Sequence, residues 1–191
     1  MKKLPEWGYR LLKPILSPIF KLYYTPKIYN EELIPKSGPI IIVGNHLHLM
    51  DQCSVIISTK RIVHYLAKKE YFKGPFSWFF KITGCISVDR NRKDKDAVDS
   101  AIQVLESGGA VGLFPEGTRN KTDKILLPFK YGAVSLAKKT GATIIPFGIK
   151  GDYSFRSKSL TVTFGKPFKV TDMNLTYANK LLEKKIKNLI K

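Results

Sequence analysis

The stretch Pro39-Ile40-Ile41-Ile42-Val43-Gly44-Asn45-His46-Leu47-His48-Leu49-Met50-Asp51 decides how this chain is read. Ile40 to Val43 is an unbroken run of β-branched residues, the pattern of a strand covered on both faces in a parallel sheet. Gly44-Asn45 ends the run, and a helix is predicted over Gln52 to Thr59. Between strand and helix stand His46 and Asp51. A histidine just past the C-terminal end of a strand sits where open α/β sheets place their ligands. On a regular helix, residues at positions i and i+5 point to different sides, so contact between His46 and Asp51 requires a turn before the helix opens. Given that turn, Asp51 can fix the imidazole tautomer and stabilise the imidazolium, while His46 serves as a general base toward a substrate hydroxyl. The spacing alone is weak, because a satisfied structural histidine fits it too. His48 can line the same site but has no aspartate at that spacing.

Outward from this stretch the pattern repeats. Ile62 to Ala67, Cys85 to Val88, Ala110 to Phe114 and Thr143 to Ile149 are apolar runs of strand type, and Leu160 to Phe164 alternates. Helical stretches lie between them, over Glu70 to Lys81, Asp94 to Ser107 and Tyr131 to Thr140, with Gly108-Gly109 and Gly141 as stops. A tail helix from Leu175 puts Ala178, Leu181, Leu182, Ile186, Leu189 and Ile190 on one face. Such alternation predicts a single α/β domain with a mixed, largely parallel central sheet flanked by helices. With 191 residues, 43% of them hydrophobic, the chain can bury a full core, which excludes intrinsic disorder.

Residues 1–27 read as a separate amphipathic segment ahead of the domain over 28–191. Leu4, Trp7, Leu11, Ile15, Ile19 and Leu22 form one helical stripe, and Lys2, Lys3, Arg10, Lys13 and Lys21 gather on another arc. Basic and apolar faces with interfacial aromatics suit a bilayer surface, the favoured reading, with packing of the stripe on the domain's own core as the alternative. Pro14 removes a helical hydrogen bond and predicts two short helices here rather than one. The segment has no small-residue cleavage site, and no run is long and apolar enough to span a bilayer. The expected location is therefore peripheral or monotopic on the cytoplasmic face of a membrane, without signal peptide or transmembrane helix. Lys and Arg total 33 against 15 Asp and Glu, a net charge of +18. That field draws in anionic lipid, an acidic carrier protein or nucleic acid. Cys53 and Cys85 cannot build a disulfide framework, and neither has a metal-type partner nearby, so no metal site is expected.

A second group leaves another strand: Phe114-Pro115-Glu116-Gly117-Thr118-Arg119-Asn120. Gly117 permits a tight turn or a close approach, and Arg119 offers a planar fork of donors suited to phosphate. Thr118 adds a hydroxyl, and Glu116 can orient the guanidinium or hold a glycerol hydroxyl. A turn stabilised by a Glu–Arg pair is the plainer alternative. A third group runs from Lys68-Lys69-Glu70 through Pro75 to Gly84 and on to Val88-Asp89-Arg90. There Lys68 and Arg90 would add positive charge at the same mouth, and Lys69 reads as a solvated surface residue.

Taken in order, His46-x4-Asp51, Lys68-Lys69-Glu70 to Val88-Asp89-Arg90, Phe114 to Arg119 and Ile144-Ile145-Pro146-Phe147-Gly148 resemble the four blocks of the PlsC-type glycerolipid acyltransferases. The likeness covers about Ile28 to Val170. It implies transfer of a fatty acyl group from acyl-CoA or acyl carrier protein to the free hydroxyl of 1-acyl-sn-glycerol-3-phosphate, giving phosphatidate. In that family's pattern His46 is the base and Asp51 its partner. Glu116, Gly117, Thr118 and Arg119 hold the glycerol phosphate, Lys68 and Arg90 support them, and Pro146 falls in the block tied to donor binding or site shape. The thioester is already activated, so no cofactor is implied beyond the acyl donor. The implied partners are lysophosphatidate, the thioester, an anionic membrane surface and, where it is the donor, acyl carrier protein. The chain departs from the pattern in the apolar Leu47 to Met50, in Tyr71, in Ser77-Trp78 and in Asn120.

Rival readings have distinct signatures. Within the class, the acceptor could be another lysophospholipid or glycerol-3-phosphate. A basic nucleic-acid-binding protein would satisfy the charge, but the chain carries no ribonucleoprotein, zinc-finger or helix-turn-helix pattern and such binding would not need His46. A membrane adaptor on an inactive fold would not need the intact His46–Asp51 pair.

Overall fold

The computed structural model describes residues 4–89, 91 and 94–191. Its elements in chain order are α1 (Trp7–Tyr24), β1 (Lys27–Tyr29), β2 (Ile40–Gly44), α2 (Asp51–Ile56), β3 (Val63–Lys68), α3 (Ser77–Ile82), β4 (Ile86–Val88), α4 (Lys95–Glu106), β5 (Ala110–Leu113), α5 (Gly132–Thr140), β6 (Thr143–Lys150), β7 (Thr161–Phe164) and α6 (Leu175–Leu189). The seven strands form one sheet in the order β1-β7-β6-β2-β5-β3-β4. Every neighbouring pair is parallel except β6 with β7. The expected mixed, largely parallel sheet is thus the one observed, with β1 an addition that three residues gave no pattern to reveal.

The strand at the centre is β2, and all five of its residues are buried. Ile41 and Val43 face Ala101, Leu105, Val134 and Ala137 of α4 and α5, together with Leu182 and Ile186 of α6. Ile40 and Ile42 face the opposite layer, with Val55 of α2 and Tyr65, Phe147 and Phe164 from other strands. Burial on both faces explains why the run is continuous rather than alternating. It also explains why β2 and its two neighbours hold a fixed register. Val43 lies opposite Leu113 of β5 on one side and Pro146 of β6 on the other. The loops leaving β2 and β5 therefore emerge side by side at the same edge of the sheet.

Two expectations are corrected. Residues 7–24 form one continuous helix despite Pro14 and Pro18. Both prolines lie on its exposed face. The carbonyls of Arg10 and Pro14, which lose their helical donors, thus point to the side where water can replace them. The helix expected over Glu70 to Lys81 is instead a 3-10 turn over Lys69–Phe72 and the short α3, separated at Gly74-Pro75, where proline disfavours helical conformation in the residue before it.

Helix α1 packs on the domain through Gly8, Tyr9 and Phe20. Its Tyr9 hydroxyl donates to the Arg61 carbonyl at 3.2 Å, and Lys13 donates to the carbonyls of Thr59 and Arg61. The stripe of Trp7, Leu11, Ile15, Ile19 and Leu22 is more than half exposed. These five residues of the stripe are therefore not buried in the protein's own core, whereas Leu4, at its start, packs against it. Among the described residues, no helix is long and apolar enough to cross a membrane.

Candidate active site

The turn that the His46–Asp51 spacing demanded occupies residues 47–50, and α2 opens at Asp51. Its cause is the Asp51 side chain, whose Oδ2 accepts the Leu47 N–H at 2.7 Å and the His48 N–H at 2.8 Å. The same oxygen meets His46 Nδ1 at 2.8 Å. Asp51 is fully buried, so this carboxylate shapes the loop and orients the ring at once. A carboxylate on Nδ1 puts the proton on that nitrogen and leaves Nε2 as the basic atom. The ring is also clamped flat against Phe114, with centroids 4.0 Å apart and 9° between planes. A base held by a hydrogen bond and a stacking partner loses little freedom when a substrate arrives.

The main chain of His46 is gripped as firmly as its ring. Its N–H donates to Glu116 Oε1 at 2.8 Å, and its carbonyl accepts the Asn120 N–H at 2.7 Å. Glu116 is buried, and its other oxygen accepts the Leu127 N–H at 2.8 Å. Burial raises the Glu116 pKa above its usual value, while the two N–H donors pull the other way. Glu116 therefore braces the loops after β2 and β5, and it forms no ion pair with Arg119 among the described residues. Gly117 follows with φ +71°, its N–H on the Phe114 carbonyl at 3.0 Å. Thr118 and Arg119 are exposed on the rim of this loop.

Beside His46 opens a cleft of about 360 Å³, lined by Phe114, Gly117, Leu66, Val88, Lys130 and others. Neither Lys68 nor Pro146 lines this cleft. Lys68 ends β3 and pairs with Glu70 at 3.1 Å, and it is absent from the cleft wall. Pro146 is buried in β6, where its carbonyl accepts the Gly165 N–H at 2.8 Å. Arg90 lies outside the described residues. A second cavity of about 400 Å³, almost wholly apolar, lies between α1, α2 and α3 and touches Leu12, Phe20, Met50, Cys53, Tyr65 and Phe80. Burial pushes the Cys53 thiol up to about 11, so it is an apolar wall residue rather than a nucleophile.

Several residues of the site escaped the sequence reading. Asn45 Nδ2 donates to the Ile149 carbonyl at 2.8 Å, and its Oδ1 accepts the Ile149 N–H at 2.7 Å, tying the loop to β6. Tyr153 stacks on the His48 ring, with centroids 4.5 Å apart, and its hydroxyl lies 2.9 Å from Ser54 Oγ. Its pKa is pushed far above the usual tyrosine range, by burial first and by the charge of Asp51 next. Asn120 was visible only as a departure from a family pattern, and Lys130 as one basic residue among many. Among the described residues, no group of three or more His, Cys, Asp or Glu is placed to hold a metal ion.

Residues 25–150 match the family described as Acyltransferase. The chain is 29% identical over 170 residues to a 1-acyl-sn-glycerol-3-phosphate acyltransferase of Bacillus subtilis, covering 86% of this chain and 84% of that one. With the enzyme of the same name from Borreliella burgdorferi the identity is 33% over 141 residues, covering 72% of this chain and 56% of the relative. The fold is similar to the crystal structure of PlsC, the 1-acyl-sn-glycerophosphate acyltransferase of Thermotoga maritima. That match has a TM-score of 0.72 at 24% identity and covers 94% of this chain and 80% of that one.

Proposed function

This chain belongs to the Acyltransferase family, and from that premise we propose that it moves a fatty acyl group from a thioester to the free hydroxyl of 1-acyl-sn-glycerol-3-phosphate. The product is phosphatidate, and the step belongs to phospholipid synthesis. The observation that carries the reading is the placement of His46, with Nδ1 on the buried Asp51 and its ring at the wall of the cleft. The names of the relatives supply the acceptor.

The mechanism follows from the free Nε2. A glycerol hydroxyl is too weak an acid to attack a thioester unaided. Nε2 takes its proton as the oxygen bonds to the thioester carbonyl carbon, and Asp51 stabilises the resulting imidazolium. The tetrahedral adduct then collapses by breaking its C–S bond, and the leaving sulfur takes the proton back from Nε2. The ester and a free thiol remain, and the base is regenerated. Arg119, on the rim, supplies the cation for the acceptor's phosphate, with Thr118 beside it. Glu116 and Gly117 set the loop that carries them, Lys68 and Pro146 act from outside the cleft wall, and Arg90 adds a further positive charge. Acyl-CoA and acyl carrier protein both fit the basic charge of the chain as donors, and no cofactor beyond them is invoked.

The acceptor is an amphiphile, so the enzyme must work at a bilayer surface. The exposed stripe of α1, with Trp7 at its start and basic residues on other arcs, supports docking on anionic lipid at the cytoplasmic face. The apolar cavity beneath α1 is suited to a hydrocarbon chain.

The test is acyl transfer in lipid vesicles with palmitoyl-CoA and palmitoyl carrier protein as donors. Lysophosphatidate, lysophosphatidylcholine and glycerol-3-phosphate serve as acceptors. Phosphatidate formed at least about tenfold faster than any other product supports the reading, and preference for another acceptor overturns its substrate assignment.

A further inference from the structure

We propose that Lys130 grips the acceptor's phosphate from the cleft wall, as a second cation beside Arg119. The inference rests on the function proposed above and adds a residue that belongs to none of the four sequence blocks.

Lys130 stands apart from the other basic residues in how it is held. Its N–H donates to the Pro115 carbonyl at 2.8 Å, which fastens it to the loop carrying Glu116. The preceding residue, Phe129, is buried, and its carbonyl accepts Asn179 Nδ2 from α6 at 3.1 Å. With the backbone fixed on both sides, the side chain runs over Gly117. A Cβ at position 117 would lie 3.0 Å from both Cε and Nζ of Lys130. Gly117 is thus doubly constrained, by its φ of +71° and by the lysine stem that occupies the place of a side chain. That stem leads the ammonium into the cleft whose wall includes His46.

The electrostatics point the same way. Among the described residues Lys130 has no ion pair, whereas Lys68 is paired with Glu70 and Lys69 with Asp89. The cleft wall is largely apolar, with Leu66, Val88 and Leu113, and it also carries Lys139 and Asp89, the latter paired with Lys69. Lys130 is exposed, yet an unpaired ammonium beside a largely apolar wall meets an anion with less screening on that side than one in open water. Glycerol phosphate holds its charge only a few bonds from the reacting hydroxyl. A cation placed over Gly117, one residue beyond the carboxylate that braces His46, is on the scale of that molecule. Lys130 and Arg119 are both exposed, one at the cleft wall and one on the rim of the loop, so the two cations would bracket the phosphate from two sides.

The test compares binding of hexanoyl-lysophosphatidate, short enough to stay monomeric, with that of monohexanoylglycerol by titration calorimetry. The native protein should favour the phosphate-bearing compound. Lys130→Met should weaken its binding by about tenfold or more, leave the neutral compound unchanged, and raise KM for lysophosphatidate but not for the thioester. Lys130→Arg should recover most of the loss. Equal phosphate binding in Lys130→Met, no phosphate preference in the native protein, or a rise confined to the thioester KM would each overturn the assignment. The parent reading fails differently, if the native protein binds the phosphate yet transfers no acyl group to it.

Discussion

Glu116 reaches His46 through the main chain: its Oε1 accepts the His46 N–H at 2.8 Å across 70 residues of sequence. Its second oxygen accepts the Leu127 N–H, so one buried carboxylate fixes where the base begins and where the following loop returns. Burial raises its pKa above the ordinary 4.5. The folded protein therefore holds this proton more tightly than the unfolded chain. The stability contributed is complete below the unfolded value and is lost as pH rises through the folded one. Glu116→Gln cannot titrate. As pH rises through and above the ordinary carboxylate range, the native protein should lose stability relative to Glu116→Gln, read as the difference between their urea midpoints. A difference that stays constant across that range would contradict the assignment.

Asp51 Oδ2 takes three donors, one of them His46 Nδ1. In Asp51→Asn the amide oxygen can keep only part of this set, and the ring loses both its tautomer control and the charge that stabilises the imidazolium. A kcat lower by about 10³–10⁴-fold, with substrate KM changed little, is the expected outcome in steady-state kinetics.

Phe114 holds the His46 ring from one face, and Tyr65 stacks on Phe114 in turn, with centroids 5.7 Å apart. Phe114→Leu keeps most of the apolar volume but removes the flat surface. It should cost less than about 1.5 kcal/mol in stability yet lower kcat by about tenfold. Thermal unfolding and turnover on one preparation separate the two effects.

Leu11 and Ile15 are 57% and 55% exposed on α1. Replacing both with glutamate should leave stability within about 0.5 kcal/mol per site, because neither is packed. Co-sedimentation with anionic vesicles should fall sharply, together with activity on vesicle-borne acceptor. Unchanged sedimentation would place the lipid contact elsewhere.

The sheet was legible because β2, β5 and β6 are apolar enough to announce burial on both faces, and the glycines after α4 and α5 mark their ends. The contact between His46 and Asp51 was legible only together with the turn it requires, which the spacing does not itself force. Glu116 was recognisable as a site residue, but its partners were not. They are the backbone N–H groups of His46 and Leu127, brought close only by the side-by-side packing of β2 and β5. Phe114 and Lys130 were hidden for the same reason, as an aromatic at a strand end and one lysine among many. The continuity of α1 ran against the usual effect of proline, because the carbonyls it leaves open face outward. The position of the α1 stripe was undecided, since an amphipathic pattern does not say which face meets the domain. Here Gly8, Tyr9 and Phe20 took that role, with Gly8 close against Ile82 of α3.

The most direct test of the account is single-turnover acyl transfer to lysophosphatidate in vesicles by the native protein and by His46→Ala. Among the described residues the His46 ring is held by Asp51 and Phe114 alone, so the variant should still fold and bind the vesicles. If Nε2 is the base, native protein forms phosphatidate and the variant is slower by at least about 10²-fold with binding intact. Equal rates in the two proteins would contradict the mechanism.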